Sequence, residues 1–169
     1  LSLYQIDASI KWPNDIYVGD RKIAGILIEQ SVMNHKVLHS IIGIGLNVNQ
    51  TEFSDWIPNP VSMGNLLRKD LPLEFVLHDV LSKIRDCVQL VMKGKFDEID
   101  RMYGEKLYRR NGFHDFRAGG KTFSARIASV EPRGSLVLAD EQDTKTTYQF
   151  KEVEFVIPHP NSPDSPSIS

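Results

Sequence analysis

The chain has 169 residues, 41% of them hydrophobic and 25% charged, the make-up of a globular protein rather than a disordered one. Twenty basic and 22 acidic side chains leave a formal charge of −2 at pH 7, which gives no global attraction for nucleic-acid phosphates. No apolar run approaches the roughly 20 residues of a membrane span, no basic region and apolar block of a secretory signal follows Leu1, and the single Cys87 excludes an intrachain disulfide. A reducing compartment, the cytoplasm, is the expected location.

Leu1 to Asp7 are too few to classify and fit the end of a helix. From Ser9 to about Asn49 the hydrophobic pattern is that of short strands: Ile16-Tyr17-Val18, a turn at Gly19-Asp20, then runs over 22–31 and 37–48 separated by Met33-Asn34-His35. The last two runs predict an antiparallel hairpin. Ser62 is placed to cap a short helix through Arg68, since Pro58 and Pro60 exclude an earlier start. Leu73, Val76, Leu77, Val80, Leu81, Ile84, Val88 and Val91 recur at helical spacing, and this helix should end near Gly94. A further helix is expected from about Phe96 to Tyr108, with the helices covering one face of the sheet.

From Asn111 to Pro158 the pattern is again β. Turn signals at Asn111-Gly112, Gly119-Gly120, Pro132-Arg133-Gly134 and Asp140 to Asp143 separate runs at 114–118, 121–130, 135–139, 145–150 and 153–157. Five short strands at this spacing suggest a small barrel. Its basic residues are matched by acidic ones, which argues against RNA binding. Residues 159–169 hold three prolines and four serines and are expected to be disordered.

Within 37–48, strand alternation puts Ile42, Ile44, Leu46 and Val48 on one face and Gly43, Gly45, Asn47 and Asn49 on the other. Two positions without side chains followed by an amide would make a flat floor for a planar ligand, with Asn47 at its edge. Glycines in strands also mark bulges and close crossings, so both readings stand. The third glycine of a dinucleotide fingerprint is absent, because Val48 occupies that place. Lys22 opens the preceding strand, where an ammonium beside an apolar sheet can meet developing negative charge. A solvated, snorkelling lysine is the alternative. Gly25 lies three residues on, so strict alternation would put it on the face opposite Lys22; a shared pocket requires a bulge or an inward reach. Lys11-Trp12-Pro13-Asn14-Asp15 reads as a turn with an aromatic anchor.

His35 and His39 have helical metal spacing but fall on a turn and a strand, so no metal site is expected. Asp97, Glu98 and Asp100 read as a solvated helix face, and Cys87 as packing or surface.

Lys-Trp-Pro-Asn-Asp at 11–15, Lys-Ile-Ala-Gly-Ile-Leu at 22–27 and Gly-Ile-Gly-Leu-Asn at 43–47, in this order and spacing, resemble the central catalytic segment of biotin-protein ligases. The later helices and terminal strands follow that family's order through about Ile157. The resemblance implies an α+β fold: a mixed or antiparallel sheet covered by helices, of the class II synthetase-like biotin/lipoate ligase type and incomplete at its N-terminus, followed by a small all-β barrel. Residues 1–110 would be a partial catalytic domain, 111–158 the small C-terminal domain and 159–169 a tail.

The family makes biotinyl-5′-AMP from biotin and ATP, with Mg²⁺ accompanying the nucleotide, and transfers biotin to a lysine of a carboxylase's biotin carrier domain. By similarity Lys22 would be the catalytic lysine and would also contact biotin. Gly25, Leu27, Gly43 and Gly45 would line the biotin pocket, Asn14 and Asn47 would serve the nucleotide, and Lys11 the phosphates. Asp15 would orient this cluster or approach Mg²⁺ and is not assigned as a metal ligand. The family's Arg/Gly-rich phosphate loop lies upstream of the lysine motif and does not occur in these residues, so negligible ligase activity is expected of the chain alone. No helix-turn-helix is visible, so DNA binding is unsupported, and a homodimer stays open. Lipoate-protein ligase is the nearest alternative in the same fold class. A non-catalytic interaction module on a degenerate ligase core is the alternative from another class.

Overall fold

The structure, a computed structural model, describes residues 1–34, 36–54 and 57–157. The expected disordered tail, like His35 of the hairpin turn, lies outside them. Two compact units divide the chain: Leu1–Ser9 with Asn14–Asp79, and Ile10–Pro13 with Val80–Ser169. Strand β1 (Ser9–Lys11) carries the chain across the division, and helix α2 (Leu73–Met92) begins in the first unit and ends in the second.

The first unit opens with a 3-10 turn over Ser2–Tyr4, and Tyr4 donates its hydroxyl to Asp79 Oδ2 at 2.8 Å. Strands β2 (Asp15–Val18), β3 (Arg21–Met33) and β4 (Lys36–Leu46) then pair antiparallel in sequence order. Gly19, with φ of +55°, makes the turn from β2 to β3. The predicted hairpin forms with Gly25 opposite Gly45 and Ile28 opposite Ile42.

After β4 the chain returns to the sheet. Val61 and Met63 are buried, and helix α1 (Met63–Leu67) starts at the expected cap: the Ser62 side chain accepts from Asn65 N while Asn65 Oδ1 accepts from Ser62 N. Arg68, left-handed at φ 54°, ends it. Asn49 ties the next turn with both ends of its amide, donating to Leu71 O at 2.8 Å and accepting from Leu71 N at 3.0 Å.

Helix α2 stops two residues before Gly94, whose φ of +65° gives the left-handed end the sequence called for. Its expected role is corrected in part. Val76 is buried, but Leu77 and Leu81 of the apolar stripe are 58% and 52% exposed. The sheet positions expected to lie under helices, Ile42 and Ile44, are 47% and 38% exposed. Helical periodicity reveals which face is apolar, not that the described residues cover it. Cys87 and its neighbour Val88 are exposed as well.

In the second unit helix α3 (Phe96–Glu105) carries Asp97 and Glu98 in its first turn, where carboxylates oppose the helix dipole. Strands β5 (His114–Ala118), β6 (Lys121–Val130), β7 (Leu136–Ala139), β8 (Lys145–Tyr148) and β9 (Glu154–Phe155) follow the predicted runs closely. They form one antiparallel sheet in the order β8-β7-β6-β5-β9. Among the described residues no ladder joins β8 to β9, so the expected barrel is an open sheet; β9 pairs over two residues only, too few to close it. Phe116, Ala125, Ile127, Leu136, Leu138 and Val153 form its core, and Trp12 completes it. Ile10 N bonds Lys106 O at 2.7 Å and Tyr108 N bonds Ile10 O at 2.9 Å, which holds Ile10–Pro13 in this unit.

Candidate active site

Six of the eight residues singled out by the motifs meet in the first unit. Asn14, Lys22, Gly25, Leu27, Gly43 and Gly45, together with Asp15, Ile26 and Ile44, line a shallow depression of about 490 Å³ on the β3–β4 hairpin.

The parity problem between Lys22 and Gly25 is solved by a bulge. Tyr17 pairs with Lys22 and Ile16 with Ala24, so Ile23 is an extra residue on β3. Alternation resets there: Ile23 and Ala24 are both buried in succession, and Lys22 emerges on the face of Gly25. A methyl group built on Gly25 would lie 3.3 Å from Lys22 Nζ and 3.4 Å from Asp15 Oδ1. Lys22 Nζ in turn pairs with Asp15 Oδ1 at 2.6 Å, with the two side chains 37% and 22% exposed. A pair this open to water adds about 1 kcal/mol or less to stability.

Lys22 is also gripped through its backbone. Its N–H donates to Asn59 O at 2.7 Å and its carbonyl accepts from Val61 N at 2.9 Å. Opposite it on β2, Tyr17 is buried, and loss of water around the phenol, followed by the carboxylates of Asp15 and Asp20, pushes its pKa up to about 12.

Gly43 and Gly45 are not required by packing. The β3–β4 register runs unbroken through them, neither has positive φ, and a methyl at either would meet nothing closer than 3.8 Å. That removes the bulge and close-crossing explanations and leaves an open floor.

Asn14 donates Nδ2 to Ile26 O at 2.7 Å while its carbonyl accepts from Ile26 N at 2.8 Å, so a ligand would meet its Oδ1. Asn47 does not line the depression: Nδ2 donates to Val61 O at 3.1 Å and its backbone bonds Ile23 and Met63. Lys11 does not line it either, and its ammonium lies 5.0 Å from the centre of the Phe155 ring. Asp15, for which the resemblance left open orienting the cluster or approaching Mg²⁺, lines the depression and pairs with Lys22; its place directly after Asn14 in the motif was the available signal. Among the described residues no three metal-ligating side chains come together.

A larger hollow of about 680 Å³ lies in the second unit, bordered by Trp12, Arg101, Tyr103, Arg110 and Glu131. It holds none of the candidate lysine, leucine, asparagine or glycine positions.

Fold and floor together define a biotin protein ligase fold. The chain superposes on the crystal structure of biotin protein ligase from Aquifex aeolicus with a TM-score of 0.73 at 24% identity, over 92% of this chain and 68% of that one. Against the same organism's ligase in complex with biotin and ATP the TM-score is 0.71 at 23% identity, over 93% and 65%. Residues 3–47 match the sequence profile of the Biotin/lipoate A/B protein ligase family, and the resemblance to biotin-protein ligases is thereby shown in sequence as well as in fold. The Bifunctional ligase/repressor BirA of Bacillus subtilis is 27% identical over 146 residues, 85% of this chain and 45% of that protein. Biotin–protein ligase 2 of Arabidopsis thaliana is 32% identical over 104 residues, 57% of this chain and 29% of that protein. The chain thus spans less than half the length of these relatives.

Proposed function

We propose that this chain carries the catalytic lysine of a biotin-protein ligase, an enzyme that joins biotin to ATP as biotinyl-5′-AMP with release of pyrophosphate. The biotin then passes to a lysine of a biotin carrier domain, such as that of acetyl-CoA carboxylase. The observation that carries this reading is the gathering of Lys22, Gly25, Leu27, Gly43, Gly45 and Asn14 around one depression.

Both chemical steps develop negative charge on acyl or phosphoryl oxygens, and an ammonium held on a sheet stabilises such charge without having to reorganise. Lys22 would meet the biotin carboxylate and then the adenylate linkage. The bare backbone at Gly43 and Gly45 would support the ring system, Leu27 would give it an apolar contact, and Asn14 Oδ1 would accept from the nucleotide base. Lys11 and Asn47 do not line the depression, and their roles toward phosphates and nucleotide rest on the motif resemblance alone. Mg²⁺ would enter with the ATP phosphates, while the Asp15 carboxylate is paired with Lys22. No described helix is long and apolar enough to cross a membrane, and the cytoplasm is the proposed site of action.

The test is formation of biotinyl-5′-AMP from biotin and ATP. It is measured with the chain alone and with the part of the Aquifex ligase that precedes its match to this chain fused ahead of Leu1. Adenylate formation by the fusion, abolished by Lys22→Ala and competed by biotin far better than by lipoate, supports the reading. No adenylate in either format sinks it, and preference for lipoate reassigns the substrate.

A further inference from the structure

Asp15 stands opposite Gly25 in the β2–β3 register, one residue after the Asn14 amide that is bonded to Ile26. Its carboxylate therefore has a fixed origin on the sheet. Lys22, by contrast, has a long side chain whose rotamer freedom must be suppressed before its ammonium can occupy one place. The bulge at Ile23 brings Lys22 to this face, the absent side chain at Gly25 opens the path across the strand, and Asp15 Oδ1 receives the ammonium at 2.6 Å. An exposed pair adds little to stability, so its consequence is one of position rather than of folding.

We propose that Asp15 is the positioning residue for Lys22 and that Gly25 is glycine to let the two side chains meet across it. The proposal deepens the ligase reading and rests on it for its catalytic meaning. One of the three ammonium N–H donors is taken by Asp15, which leaves two for an incoming carboxylate or phosphoryl oxygen. Because Asp15 is itself an anion beside the place where an anionic substrate would sit, it cannot help binding by charge. Its contribution must fall on the reacting geometry.

The first measurement needs no substrate. The chain is trace-acetylated with acetic anhydride, and the modification rate at Lys22 is compared with that at exposed Lys145 by peptide mass mapping. Asp15→Asn should raise acetylation of Lys22 relative to Lys145 by about threefold, the scale of an exposed ion pair, with an unchanged melting temperature. Asp15→Glu should return part of the protection. Gly25→Ala, which pushes on the flexible end of Lys22 rather than on backbone, should fold and likewise release Lys22.

The second measurement is adenylate formation by the fused protein. Asp15→Asn should lower kcat about tenfold while KM for biotin holds or falls, a split that a merely structural role would not give. Lys22 acetylation unchanged by Asp15→Asn overturns the proposal, as does a rise in KM at constant kcat. If the wild type forms no adenylate, the ligase reading fails while the acetylation result still decides whether Asp15 positions Lys22.

Discussion

The indole N–H of Trp12 donates to the carbonyl of Gly134 at 2.8 Å, which fixes the aromatic residue of the Lys-Trp-Pro-Asn-Asp motif to the turn between β6 and β7. Trp12 is 4% exposed in the core of the second unit. Trp12→Ala should cost about 3–5 kcal/mol through the cavity it leaves. Trp12→Phe should cost less, because the exposed Gly134 carbonyl can turn to water and the lost bond is worth about 0.5–1.5 kcal/mol. Urea unfolding of both variants reads the difference.

The glycine floor makes a prediction in which stability and binding move in opposite directions. A methyl at Gly43 or Gly45 meets only ordinary contacts, and a strand gains roughly 0.5–1 kcal/mol when glycine becomes alanine. Gly43→Ala and Gly45→Ala should therefore melt at or above the wild-type temperature while losing biotin binding in the fused protein, measured by isothermal titration. A fall in stability would return these glycines to a packing role.

Ser62 is fully buried, caps α1 and donates its hydroxyl to Gln50 O at 2.5 Å. Ser62→Ala removes the cap and leaves a carbonyl without its donor, for about 1–2 kcal/mol. The loss should appear in the denaturation midpoint. A change below a few tenths of a kcal/mol would show that the cap is dispensable.

Tyr17 sets an alkaline limit. Its pKa is raised from 10.0 to about 12, so above pH 10 the unfolded chain gives up this proton while the folded chain keeps it. The folded state then binds more protons, and stability falls as pH rises from about 10 to about 12. Full traverse of that window would remove roughly 2–3 kcal/mol. Tyr17→Phe should flatten the decline between pH 10 and 11 in urea titrations, and an unaltered slope would show that the phenol is not held neutral.

Local rules read well wherever the cause was local. Ser62 announced α1 because a cap acts within one turn, and the runs at 114–118 and 121–130 are found unaltered because turn glycines bound them on both sides. The floor of Gly43 and Gly45 followed from alternation alone. The long-range pieces were not legible. One inserted residue at Ile23 reverses the face of Lys22, and nothing in the order Lys-Ile-Ala-Gly marks where the ladder slips. Asn47 and Asn49 look like ligand groups in a strand pattern, yet their amides are engaged by Val61 and Leu71, residues brought close only by the return of the chain. The exposure of Leu77, Leu81 and Ile42 was equally invisible, because periodicity carries no information about a covering partner.

The grip of Asn59 and Val61 on either side of the Lys22 peptide has a further consequence. The lysine shares its footing with the run that leads into α1, and Asn47, by holding Val61, is the rivet between them. Lengthening or shortening that run by one residue would be felt as a tilt at the amine, so its tolerance for insertion should be far lower than its place outside any helix or strand suggests.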